Sequence, residues 1–167
     1  PRGGKSLIKL VSEKATMPVI KHLDGVCHVF VDNSANLKKA LAISMNAKTQ
    51  RLGTCNTMET LLVGTEIASK FIPIILAQLE EAGIEIRACL ETSKLYPNST
   101  LATEDDWYEE YLGPVLSVKI VNDADDAISH IAKYGSNHTD SIVSEDYSAI
   151  SKFIKQVDSS SVIVNAS

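Results

Sequence analysis

Cysteine, aromatic residues and positive charge are all in short supply in this chain of 167 residues. Three cysteines, Cys27, Cys55 and Cys89, lie far apart and are odd in number, which excludes a disulfide framework. With no C-x-x-C pair, and with His22, His28, His130 and His138 off metal-ligand spacing, the sequence offers no metal site. Lys and Arg number 16 against 21 Asp and Glu, a formal net charge of −5, so the clustered cations of a nucleic-acid surface are missing. No uninterrupted apolar run approaches the roughly 18 residues that a membrane span needs. The opening stretch PRGGKSLIKLVSEKA lacks the apolar core and small-residue cleavage site of a signal peptide, and a cytoplasmic location is the default expectation. G-x-G-x-x-G, Walker-type, H-E-x-x-H and EF-hand patterns are absent as well. What remains, 44% hydrophobic and 5% aromatic, is an ordinary globular composition, long enough to bury roughly 70% of its unfolded surface without a staple.

Hydrophobic periodicity alternates between helical and strand types along the chain. It predicts a helix over Ser6 to Ala15 and strands at Val19-Ile20 and His28-Val-Phe-Val-Asp32. A helix carrying Leu37, Ala40, Leu41 and Met45 follows, with Asn33 or Ser34 as its N-cap. The polar stretch Lys48-Thr-Gln-Arg-Leu-Gly-Thr-Cys-Asn56 separates it from a strand, Glu59-Thr-Leu-Leu-Val63. Ile67, Phe71, Ile74, Ile75 and Leu79 mark an amphipathic helix closed by Gly83, and Pro73 inside it predicts a kink. Ile84 to Ala88 reads as a strand, and residues 91–113 as the least regular part, with a solvated acidic face at Glu104 to Glu110. Two similar segments, Ile120 to Lys133 and Ile142 to Lys155, repeat at an offset of one strand plus one helix, and Val162-Ile-Val164 is the last strand. Strands alternating with helices imply an α/β fold, a three-layer α/β/α arrangement with a mostly parallel twisted sheet. Ligands in such sheets bind outside the carboxyl ends of the strands, so that edge is the first place to expect chemistry.

Cys55 is the residue with the most chemical interest. Its flanks are polar, and Lys48, Arg51 and Asn56 are close to it in sequence; nearby cations or backbone N–H groups raise the thiolate fraction of a cysteine. The plainer reading is a small buried residue, as most unpaired cysteines are. Asn46, Lys48, Thr49 and Arg51 supply donors for an anionic ligand such as a phosphate or carboxylate, against the alternative of a merely solvated loop. Cys27 and His28 are adjacent on a strand and face opposite sides, so they cannot form a dyad. A packed Cys27 and a half-buried His28 are the simpler expectation, and Cys89 receives no role.

The segment Asn46-Ala-Lys-Thr-Gln-Arg-Leu-Gly-Thr-Cys-Asn-Thr-Met-Glu-Thr-Leu-Leu-Val63 closely resembles the nucleophile segment of the gamma-glutamyl phosphate reductases, members of the aldehyde dehydrogenase superfamily. Pro1-Arg-Gly-Gly, Pro18-Val-Ile, Cys27 to Asp32, Val118 to Ile128 and Val157 to Ser167 resemble the same family in the same order. The resemblance implies an aldehyde dehydrogenase catalytic-domain fold with Cys55 as nucleophile. It implies reduction of L-glutamyl 5-phosphate by NADPH to L-glutamate 5-semialdehyde and phosphate through a cysteine thioester, in proline biosynthesis. Asn46, Lys48 and Arg51 would then bind substrate. Glu110 and Leu112 would touch the nicotinamide nucleotide, because Glu110-Tyr-Leu-Gly-Pro114 is similar to the superfamily's E-x-F-G-P segment, with Leu112 in place of Phe. The oxyanion would be held by the nucleophile's own N–H and by an Asn supplied from the nucleotide-binding domain. No Glu stands in Lys21-His-Leu-Asp-Gly-Val-Cys27 where hydrolytic members keep a general base, which suits an enzyme that must not hydrolyse its thioester.

On the same resemblance, residues 1–167 form the nucleophile-bearing catalytic domain. An N-terminal dinucleotide-binding domain and a C-terminal oligomerisation segment are then missing, and the chain alone is inactive. Partners would be the small-molecule substrate, other copies of the full-length protein as a homo-oligomer, and the pathway's glutamate kinase. Neither nucleic acid nor membrane is among them. Two further readings stand beside this one: a non-catalytic interaction module on the same fold, and a thiol redox sensor, for which the sequence places no clear resolving thiol beside Cys55.

Overall fold

The run Cys27-His-Val-Phe-Val31 is too short for a helix and ends at the turn formers Asp32, Asn33 and Ser34. A short, near-continuous apolar run of this kind is what a parallel strand covered on both faces requires. In the computed structural model, which describes residues 5–19 and 24–167, that run is strand β1 (Cys27–Val31), and all five of its residues are buried. Around it lie α1 (Lys5–Lys14), α2 (Leu37–Thr49), β2 (Met58–Gly64), α3 (Thr65–Glu81), β3 (Glu85–Ala88), α4 (Leu90–Leu95), β4 (Thr100–Leu101), β5 (Val115–Val121), α5 (Ala124–Tyr134), β6 (Thr139–Val143), α6 (Tyr147–Gln156) and β7 (Ser161–Val164). The strands form one seven-stranded sheet in the order β4-β3-β5-β2-β1-β6-β7, and every pairing between them is parallel. The expected α/β architecture is therefore observed, with a wholly parallel sheet.

Alternation along the central strands divides two cores. Val29, Val31, Leu61 and Val63 face α2 and α3, where Phe71, Ile75 and Leu79 meet them. Phe30 and Leu62 face α5 and α6 and pack with Ile128, Ile131 and Phe153. Side-chain alternation of a pleated strand is enough to produce this two-sided division.

At the carboxyl edge of the sheet, carboxylates serve the backbone. Asp123 accepts from the Asp125 and Asp126 amides to cap α5, and Asp146 accepts from Ser148 N at 2.7 Å to cap α6. The two repeated segments thus become successive βα units, with the second cap at Asp146, one residue later than the repeat would place it. Asp32 accepts from Ser34 N, Ser34 Oγ and Ser144 Oγ, tying β1 to the end of β6. That commitment explains a correction: neither Asn33 nor Ser34 caps α2. Asn33 turns to Glu66 N and to the Asn122 carbonyl, and Asn36 caps the helix by accepting from Lys39 N at 3.1 Å. A cleft of about 460 Å³ at this edge, lined by Asp32, Glu66, Asp123, Asp125 and Asp146, is consequently a by-product of capping.

Other differences are local. Val19 is not in a strand, and Ile20 lies outside the described residues, as do Pro1 to Gly4 and Lys21 to Leu23. Residues 91–113 hold part of α4, the short β4 and a single 3-10 turn, Asp105–Trp107. Within the acidic run Asp106 and Trp107 are buried, and Asp106 accepts from Thr103 N, Thr103 Oγ1 and the Tyr111 hydroxyl, so that run is not uniformly a solvated face. His28 is fully buried against Asp140, with 2.8 Å between Nδ1 and Oδ1, instead of half-buried. Among the described residues no helix is long and apolar enough to cross a membrane.

Helix α3 continues through Pro73, which sits on the solvent face while Ile67, Phe71, Ile72, Ile75 and Leu79 are buried. Gly83 closes its C-terminal end at φ +82°, a conformation that costs glycine little. Pro73 removes the N–H that would bond the Ser69 carbonyl. Replacing it by alanine, Pro73→Ala, is expected to stabilise the chain by about 1–3 kcal/mol. A urea midpoint that falls in this variant would contradict that expectation.

Candidate functional site

The loop carrying Cys55 starts where α2 stops, and it is built from two consecutive turns. Thr54 N donates to Arg51 O at 3.3 Å, Thr57 N donates to Thr54 O at 2.9 Å, and Thr57 Oγ1 donates to Arg51 O at 2.6 Å. Cys55 stands at the tip and is exposed. Its own N–H has no hydrogen-bond partner among the described residues. From there the chain enters β2, so the thiol lies at the amino edge of the sheet. Cys55 is thus at the edge opposite the carboxyl one, where the fold class alone directs the first search for chemistry.

Two other segments arrive at the same edge. Gly25 leads into β1 and Glu110-Tyr-Leu-Gly-Pro114 leads into β5; since β5, β2 and β1 are neighbours, their three entry loops are neighbours too. Gly25 N donates to Glu110 Oε1 at 2.8 Å. A Cβ on Gly25 would lie 1.9 Å from the Cys55 carbonyl oxygen and 2.9 Å from Glu110 Oε1, so only glycine admits this approach. The Cys27 thiol donates to the same Cys55 carbonyl at 3.3 Å. Leu112, expected as a contact to a cofactor, is half exposed and held at φ +50°, an unusual conformation for a non-glycine residue. Its N–H donates to Glu59 Oε1 at 3.1 Å.

The three thiols are distinct. Cys27 is buried, and burial first, then the Asp140 carboxylate, pushes its pKa up, which keeps it a neutral thiol. Cys89 is half-buried beside the Thr92 hydroxyl at 3.2 Å. Cys55 alone is exposed. Asn46 and Arg51 line one cleft of about 320 Å³ with Thr54, Asn56 and Thr57, next to Cys55 in the same loop. Arg51 is exposed and has no acidic partner among the described residues, leaving its guanidinium available to an anion.

Lys48 is not part of that cleft. Its ammonium is fully buried and donates to Glu59 Oε2 at 2.6 Å, so the expected role as a donor to substrate is corrected to an internal ion pair. The sequence does not reveal whether the last turn of a helix points a lysine inward. Glu59 and Gly25 were missed entirely; the available signals were a lone acid within an apolar strand and a glycine just before one. Burial pushes Glu59 up to about 7 although Lys48 opposes the shift, and burial pushes Lys48 down.

The profile of the aldehyde dehydrogenase family matches residues 100–167. Over all 167 residues the chain is 55% identical to gamma-glutamyl phosphate reductase of Thermodesulfovibrio yellowstonii. The chain is thus similar along its whole length to gamma-glutamyl phosphate reductase. It spans 40% of the length of that relative. The crystal structure of gamma-glutamyl phosphate reductase from Thermotoga maritima matches the whole chain with a TM-score of 0.97 at 48% identity, the chain covering 40% of it. The reductase from Saccharomyces cerevisiae matches with a TM-score of 0.68 at 32% identity over 42% of its length. More distant proteins of the same fold have been solved in complex with NAD or NADP.

A raised carboxyl pKa has a definite sign. Glu59 is stabilising to the fold in its protonated form, fully so below the ordinary carboxyl range, and that contribution is lost as pH rises through about 7. Without Lys48 the loss must be larger, because the ionised carboxylate is then buried unpaired. Lys48→Met is expected to cost about 3–5 kcal/mol at mildly alkaline pH and clearly less on the acid side of neutrality. Urea unfolding at the two pH values checks this, and an equal cost at both would contradict it.

Proposed function

We propose that this chain is the nucleophile-bearing domain of a reductase that converts L-glutamyl 5-phosphate to L-glutamate 5-semialdehyde and phosphate. The observation that carries the reading is the exposed Cys55 thiol, whose chain neighbours Thr54 and Asn56 line a cleft with Asn46 and with Arg51, a residue without an acidic partner among the described residues, in a chain similar throughout to such reductases. The Cys55 thiolate attacks the acyl carbon, a C–S bond forms, the C–O bond to phosphate breaks, and a thioester remains on Cys55. Arg51 and Asn46 hold the anionic leaving group as charge gathers on it, and the Cys55 N–H faces the oxyanion formed at each addition. A nicotinamide nucleotide, when bound, would supply the hydride that the thioester carbon accepts to become a thiohemiacetal oxyanion. Collapse of that adduct returns the electron pair to sulfur, releases the aldehyde and regenerates the thiolate. An oxygen ester would be a poorer hydride acceptor, which is why cysteine suits this position.

A nicotinamide nucleotide fits at the amino edge through Glu110, which is half-buried; Oε1 bonds Gly25 and Oε2 has no partner among the described residues, leaving an acceptor for a ribose hydroxyl. The remainder of the nucleotide site belongs to a dinucleotide-binding domain outside these 167 residues, and assembly into oligomers to an additional segment. The metabolites are water-soluble, in keeping with a cytoplasmic enzyme that follows the glutamate kinase of the pathway. The redox-sensor reading gains a neighbour, Cys27, but burial holds that thiol neutral, which disfavours it as a resolving nucleophile.

At neutral pH iodoacetamide is expected to alkylate Cys55 well ahead of Cys89, with Cys27 slowest; comparable rates at all three thiols would sink the nucleophile assignment. In the full-length enzyme Arg51→Ala should lower kcat/KM for glutamyl phosphate by about 10- to 100-fold, the range of a lost charged hydrogen bond. An unchanged kcat/KM removes Arg51 from the site. The 167-residue chain by itself should not oxidise NADPH with this substrate at an enzyme-like rate, and turnover would refute the proposed division into domains.

A further inference from the structure

Lys48 belongs to the last turn of α2 and Glu59 is the second residue of β2, so their ion pair joins the two ends of the loop that carries Cys55. Both side chains are withdrawn from water, at 0% and 1% exposure. As a means of closing a loop this is costly, because two charges are desolvated and a pair of apolar residues of similar volume commonly stabilises as well or better. The second oxygen of Glu59 shows what the arrangement accomplishes. It reaches across to the N–H of Leu112, in a different segment, and holds that residue at φ +50°. Two residues earlier Glu110 bonds the amide of Gly25, and Gly25 lies flat against the Cys55 carbonyl.

We infer that Glu59 is a positioning residue. Lys48 fixes one carboxylate oxygen so that the other holds Leu112, and Leu112 in turn sets Glu110 and Gly25 against the Cys55 turn. This deepens the reading of Cys55 as the nucleophile and rests on it for its functional meaning. Neither residue of the pair lines the cleft beside Cys55.

Two double variants separate positioning from bulk stability. Lys48→Met with Glu59→Gln removes both charges and keeps an acceptor for the Leu112 N–H; Lys48→Met with Glu59→Leu keeps only the volume, and Glu59→Met serves in its place if leucine prevents folding. Each is compared with the wild-type chain by urea unfolding, by amide hydrogen exchange at Gly25, and by the ratio of Cys55 to Cys89 alkylation. The Gly25 amide is informative because its partner is Glu110, which neither substitution touches. With stabilities matched, the glutamine variant should keep wild-type protection at Gly25 and a wild-type alkylation ratio. The apolar variant should exchange about tenfold faster at Gly25, the effect of one hydrogen bond, with a several-fold change in the ratio. Equal Gly25 exchange in the two variants overturns the positioning role. A wild-type chain in which Cys55 reacts no faster than Cys89 overturns the nucleophile reading instead, so the two ideas fail on different measurements.

Discussion

Strands β1 and β2 are buried on both faces, and this constraint governs where anything else can happen. Once α2 and α3 cover one side and α5 and α6 the other, only the two edges of the sheet remain open to solvent. Each edge has taken a separate task. At the carboxyl edge the short acids Asp32, Asp123 and Asp146 satisfy helix amides and hydroxyls, so the acidic surplus of the chain is partly spent on its own backbone. At the amino edge the entry loops of three adjacent strands meet, and the exposed thiol stands among them.

Most of the fold was legible because its signals are local. Apolar runs of strand length, helical repeats and the glycine after α3 all act over a few residues. The errors occurred where a local signal had competing partners. Asp32, Asn33 and Ser34 look like caps for α2, yet each is drawn to a group distant in sequence, and the cap moved on to Asn36. Asp106 looks solvated within an acidic run, yet Thr103 and Tyr111 donate to it from its own segment and Arg87 joins it from β3, 19 residues away.

The site shows the same division. Cys55 could be singled out by its polar flanks, Arg51 by its place in the same loop, and Asn46 by its place near the end of the helix that leads into it. Lys48 could not be assigned correctly, since inward and outward phases at the end of a helix read alike in a list of residues. Gly25 and Glu59 were invisible as site residues: the Gly25 bond to Glu110 and the Glu59 bond to Leu112 join positions 85 and 53 residues apart. What could be read was the chemical character of the candidate group; what could not was the set of contacts around it.

Placement at the amino edge has an electrostatic corollary. Helices that flank a parallel sheet run opposite to its strands, so at this edge they present their carboxyl ends, and α2 delivers the negative end of its dipole to the very loop that holds Cys55. A site at the other edge could draw on the positive ends of helices to hold an anion. Here that help is reversed in sign, and under the proposed function a thiolate or a phosphoryl group would draw instead on the Arg51 guanidinium and on loop amides such as that of Cys55. In that role the guanidinium would offset a helix as well as bind a ligand, and for that a permanently charged group is better suited than one that can lose its proton.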